Sequence, residues 1–172
     1  EPEFLVDADW LAEHIDDDEL VVLEVRYHPH RYFTVGHIPG AVQVQRFKDL
    51  GDNTADPLMR FPSKDAFQAT LRRWGINDDS TLVLYDDSRT ALASRLYFML
   101  ALYGFPMEQV KMLDGGTVEW TAFNELSRDS VEQAPGNGHT YVHHRSGQLL
   151  LLVFPSLPGN AFRVTLHRRG RL

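Results

Sequence analysis

The 172-residue chain contains no cysteine. Disulfides, thiolate metal sites and thiol catalysis all lie outside its chemistry. Long apolar runs are absent too. Runs such as Leu149 to Phe154 are far shorter than the ~20 residues a helix needs to cross a membrane. The opening EPEFLVDADW is acidic where a secretory signal is basic and then apolar, so a cytoplasmic protein without membrane contact is expected. No internal repeat is visible. Acid is missing from the C-terminal end. All 24 acidic residues lie in positions 1–136, where 12 Lys and Arg leave a net of −12. Positions 137–172 hold five Arg (145, 163, 168, 169 and 171) and no acid, a net of +5. The acidic body argues against nucleic-acid binding, which needs a basic face. The basic end reads as a tail of different character.

Strand and helix signals alternate along the rest. Phe4–Val6 predicts a short strand, with Asp7 or Asp9 capping a helix that carries Trp10, Leu11, His14 and Ile15. Asp16–Asp18 reads as a solvated turn rather than a metal site. Leu20–Val25 predicts a buried strand with Arg26 at its end. A polar loop, YHPHRYFTV, precedes the turn GHIPGA and a short strand, and 46–62 reads as irregular. Ser63 caps a helix burying Phe67, Leu71 and Trp74, stopped by Gly75. Thr81–Tyr85 predicts a strand, Ala91–Tyr103 a helix stopped by Gly104, and Val110–Leu113 another strand. DGG at 114–116 opens a helix with Val118, Trp120 and Phe123. The alternation calls for a mostly parallel sheet covered on both faces. From 135 the pattern fails: PGNGH reads as linker, and Leu149–Phe154 as one more strand at most.

Four segments in order carry a resemblance: LVVLEVR at 20–26, GHIPGAV at 36–42, LVLYDDSRTALASRL at 82–96 and LDGGTVEW at 113–120. Together they resemble the rhodanese-like family of sulfurtransferase domains over residues 4–127. The resemblance implies an α/β fold, a five-stranded parallel sheet with helices on both faces, spanning 4–130. Residues 131–172 would then be linker and basic tail, either disordered or a remnant of a second domain. An active family member has a cysteine directly after the central strand, and the next loop turns its amides inward as an anion cradle. The thiolate takes sulfane sulfur from thiosulfate or 3-mercaptopyruvate as a persulfide and passes it to cyanide or another thiol. That chemistry needs a soft nucleophile with a lowered pKa.

Here the residue after Tyr85 is Asp86. A carboxylate is a hard, weak nucleophile toward sulfur, cannot hold a persulfide, and repels an anionic donor. Asp86, Asp87, Ser88 and Arg89 therefore read as a degenerate active-site loop, with no catalytic residue. Such a departure resembles the non-catalytic N-terminal domain of tandem thiosulfate or 3-mercaptopyruvate sulfurtransferases. The implied partner is a second, cysteine-bearing rhodanese domain in cis or trans. The alternative is a stand-alone inactive module that binds a protein partner or a thiosulfate-like anion. Arg26 and Arg89 are the candidate anion contacts. Arg26 is expected to pair with Asp86 above the sheet in preference to binding a donor. Arg89 turned inward would restore some anion affinity.

Other chemistries fit less well. An aspartyl phosphatase of the haloacid dehalogenase type needs a second Asp two positions on, where Ser88 stands. No G-x-S-x-G elbow supports a Ser–His–Asp triad with Ser88 and His37. His28 and His30, like His143 and His144, read as solvated loop residues, and His37 as a residue that fixes its turn by hydrogen bonding. Trp10, Trp74 and Trp120 read as core. No metal or cofactor is called for.

Overall fold

The structure, a computed structural model, describes residues 4–54 and 59–140. The expectations for Leu149–Phe154, for His143 and His144 and for most of the basic tail lie outside the described residues. Five strands form one sheet: β1 (Leu5–Val6), β2 (Leu20–Arg26), β3 (Val42–Gln45), β4 (Thr81–Asp86) and β5 (Val110–Leu113). Their order is β1-β5-β4-β2-β3, and every pairing is parallel. From β2 the chain moves outward to β3, then returns to β4 on β2's other side. Ligands of open α/β sheets sit beyond the strand ends at such a reversal. Here that point is the C-terminal end of β4 beside β2.

Six α-helices among the described residues complete the layers: α1 (Ala8–His14), α2 (Arg31–Thr34), α3 (Arg46–Asp49), α4 (Lys64–Arg73), α5 (Ala93–Leu102) and α6 (Gly116–Phe123). Alternating strand residues feed two cores. Leu82 and Leu84 join Leu23 and Val25 against Phe67, Leu71 and Trp74 of the α4 end and Leu96 and Met99 of α5. Val83 and Tyr85 face the other way with Val22, Leu11 and Trp120. Both faces of β4 are thus apolar, which explains its unbroken LVLY run.

Local signals act as their chemistry predicts. Asp7 is the cap of α1, accepting from the Trp10 amide at 2.8 Å. Ser63 caps α4 through the Ala66 amide at 3.2 Å. The polar loop after β2 and the irregular stretch after β3 each contain one helical turn, α2 and α3, too short to leave a periodic pattern. Trp74 and Trp120 are buried, whereas Trp10 is half-buried and stacks on His14, with ring centroids 4.1 Å apart. On α6 only Trp120 turns inward; Val118 and Phe123 are exposed.

Residues 125–140 are held against the body. Ser127 and His37 exchange backbone hydrogen bonds, 2.8 Å each. Both His37 ring nitrogens face carbonyl oxygens, Ile38 at 3.0 Å and Asp129 at 2.9 Å, so His37 fastens the GHIPGA turn to this segment. The Gly136 amide donates to Arg72 at 2.8 Å and the Gly138 amide to Ile76 at 2.9 Å. The Pro-Gly-Asn-Gly stretch hugs the end of α4 through residue 140.

Candidate functional site

β4 ends in Asp86, whose side chain is 2% exposed. A buried carboxylate needs compensation. Four backbone amides supply it, each at 2.8 Å: Ser88 and Thr90 donate to Oδ1, Leu92 and Ala93 to Oδ2. Arg89 and Thr90 take left-handed φ values of 54° and 66°, and this curls the loop so that its amides point at one centre. Leu92 and Ala93 open α5, whose N-cap Leu92 has no side chain able to cap. The Asp86 carboxylate reaches from the strand end to satisfy those orphan amides and to complement the positive end of the helix.

The expected Arg26–Asp86 pair does not form. Arg26 is 1% exposed, with Nε 2.6 Å from Glu24 Oε1 and 3.8 Å from Asp87 Oδ2. Its other nitrogens donate to the carbonyls of Arg31 at 2.8 Å and Gly36 at 3.0 Å. The reason is alternation along β2: Glu24 stands two residues before Arg26 on the same face, while Asp86 finds amides within its own loop. Arg26 therefore lies beneath the rim, committed to carbonyls and carboxylates. Arg89 is exposed rather than turned inward. Asp87 accepts from Arg31 Nη1 at 3.1 Å and from the Ser88 hydroxyl at 3.2 Å, which ties the loop to α2.

Beneath the loop lies a polar network that the sequence reading missed. Glu24 pairs with Tyr85 in the β2–β4 register, and both face the same side. The Tyr85 hydroxyl donates to Glu24 Oε2 and accepts from the Ile38 amide at 2.9 Å. Burial pushes the Glu24 carboxyl above its ordinary value, against the opposing pull of Tyr85 and Arg26. Burial, with the Glu24 charge beside it, pushes the Tyr85 phenol well above its own. The lone Glu inside LVVLEVR was the available signal; its partner depends on strand register.

The LDGG motif serves the same loop. Gly116 sits at φ 55°, and a Cβ there would collide with the Asp86 carbonyl oxygen. The Thr117 hydroxyl donates to that oxygen at 3.3 Å. The start of α6 thus packs directly on the backbone of the site. Among the described residues no group of three His, Asp or Glu is placed to hold a metal ion.

A parallel sheet whose reversal point carries an amide-lined, anion-holding loop defines an α/β domain built around charge at a strand end. The family model for the rhodanese-like domain matches residues 7–123, and the chain belongs to that family. The 3-mercaptopyruvate sulfurtransferase of Escherichia coli (strain K12) is 32% identical over 140 residues, covering 77% of this chain and 49% of the relative. The thiosulfate sulfurtransferase of Corynebacterium glutamicum is 35% identical over 142 residues, covering 82% and 45%. The sulfur carrier protein TtuD of Thermus thermophilus is 36% identical over 120 residues, covering 69% and 40%. The crystal structure of SseA from Escherichia coli matches with a TM-score of 0.71 at 32% identity, covering 81% of this chain and 55% of that one. The chain spans about half the length of the curated relatives it matches. Among the described residues no helix is long and apolar enough to cross a membrane.

Proposed function

We propose that this chain is the non-catalytic half of a two-domain thiosulfate or 3-mercaptopyruvate sulfurtransferase, working beside a cysteine-bearing rhodanese domain. The observation that carries the reading is the Asp86 carboxylate, which fills the amide cradle of its own loop in a chain without cysteine. A persulfide needs a sulfur atom on the chain, and an occupied cradle leaves no amide for an incoming anion. The chain spans about half the length of these relatives, which supports a role beside a second domain. The cytoplasmic setting expected from the sequence belongs to the same proposal.

The test is thiosulfate-to-cyanide sulfur transfer by the parent, Asp86→Cys and Asp86→Ser. The parent and Asp86→Ser are expected to form no thiocyanate. Weak turnover by Asp86→Cys alone would mean that the cradle survives and lacks only its nucleophile. If all three are inert, the loop itself has diverged and a binding module becomes the better reading. Turnover by the cysteine-free parent overturns the proposal.

A further inference from the structure

The same C-terminal rim carries a second cationic feature, outside the Asp86 loop. Gln45 ends β3 in register with Arg26, and Arg46 follows as the first residue of α3. Val25 is in register with Asp86, so Arg46 lies about two strand spacings from β4, roughly 10 Å across the rim. The Arg46 guanidinium carbon sits 4.8 Å from the ring centre of Tyr27 and 4.8 Å from that of Phe47. Those rings are 50% and 47% exposed.

The neighbouring arginines are committed. Arg26 holds Glu24, Arg31 holds Asp87, and Arg95 donates to the Leu50 and Met59 carbonyls. Arg46 differs: among the described residues no carboxylate lies within 4.0 Å of it, and its shielded Nη1 reaches no protein acceptor. The like charge of Arg95 stands close enough to act on it. Two aromatic faces fix the guanidinium plane, and with Nη1 shielded the Nε–H and Nη2 groups are the place for a planar or tetrahedral oxyanion.

We propose that Tyr27, Arg46 and Phe47 form a binding site for a small oxyanion, a carboxylate or a sulfur oxyanion, distinct from the filled cradle. The choice of thiosulfate and pyruvate as probes rests on the functional reading above; the site itself does not. The experiment is an NMR titration of the full chain with thiosulfate, pyruvate or chloride at matched ionic strength, reading the Arg46 Nε–H and the Tyr27 and Phe47 signals. Saturable shifts at these groups with thiosulfate or pyruvate, absent with chloride, are expected. Arg46→Gln should weaken binding about tenfold or more, while Arg128→Gln, at an exposed position, leaves it unchanged. Arg46→Lys, which keeps the charge and loses the planar fork, should bind at an intermediate level and serves if Arg46→Gln is misfolded. A response to thiosulfate alone, or to pyruvate alone, assigns the class of anion. No saturation, an equal response to chloride, or full binding by Arg46→Gln overturns the site. Inertness of Asp86→Cys in the transfer assay would leave this result untouched, so the two readings fail separately.

Discussion

Removing the Asp86 carboxylate should expose an anion receptor that the chain now fills for itself. In Asp86→Ala four inward-facing amides lose one charged acceptor. Taking the low end for hydrogen bonds to charged partners, about 1.5 kcal/mol each, the loss is about 6 kcal/mol. Part of it returns. Arg89 and Thr90 are held at left-handed φ, and letting the loop relax releases about 2 kcal/mol of backbone strain. A net loss of about 4 kcal/mol lowers the melting temperature of a domain this size by roughly 8–16 °C.

The assay is thermal unfolding followed by circular dichroism, with formate added as a mobile copy of the missing group. Formate at about 100 times its Kd adds about 2.7 kcal/mol to a native state that alone binds it, so roughly two-thirds of the loss should return. Chloride at equal ionic strength and the wild type in formate are the controls. Asp86→Asn separates cavity from charge: its amide fills the cradle but sets an NH2 group against N–H donors. It should lose stability and gain little from formate. A loss below about 1 kcal/mol for Asp86→Ala, or an equal formate effect on the wild type, refutes the internal-anion account.

Gly116→Ala should cost about 2–4 kcal/mol in urea denaturation, because its Cβ meets the Asp86 carbonyl at a left-handed φ of 55°; a neutral result means that α6 can move off the loop. Glu24 supplies a pH test. Its folded pKa is raised by burial above the ordinary value of 4.5, so its contribution to stability is fully present below that value and is lost as pH rises through the raised one. Urea denaturation from pH 4 to 8 should show Glu24→Gln gaining stability relative to wild type as pH rises. A constant difference across that range would place the Glu24 pKa at its unfolded value.

Much of the fold is legible because strand and helix periodicities follow from burial. LVLY is apolar on both faces because α-helices cover both, and Ser63 and Asp7 announce helix starts by side chains that accept hydrogen bonds. The loop after Tyr85 is also legible as the place where chemistry sits. What Asp86 touches is not. An arginine is a letter and suggests itself as a partner, whereas a backbone amide belongs to every residue and becomes a site only when the chain curls. That curl depends on left-handed Arg89 and Thr90, residue types that do not advertise it. The Glu24–Tyr85 pair is hidden for a related reason, since register between β2 and β4 spans about sixty residues of chain. Turn-rich PGNGH reads as linker, although its glycines permit close approach to the Ile76 carbonyl.

On the proposed non-catalytic reading, the geometry also explains why aspartate suits this position. A loop that converges four amides on one point is unstable when empty, because its donors are drawn out of water with nothing to accept them. A thiolate or bound oxyanion supplies that charge in a cysteine-bearing loop. Asparagine or serine brings donors to a place already full of them. The carboxylate alone among small side chains offers two acceptor oxygens, no donor and a full negative charge. It reaches two amides with each oxygen. Asp86 thus preserves the shape of the loop by making its anion permanent. On the proposed reading, that permanence is what confines this domain to shaping a neighbour's site. Any anion it handles must then be held elsewhere on the rim, where Arg46 stands unpaired by carboxylate among the described residues.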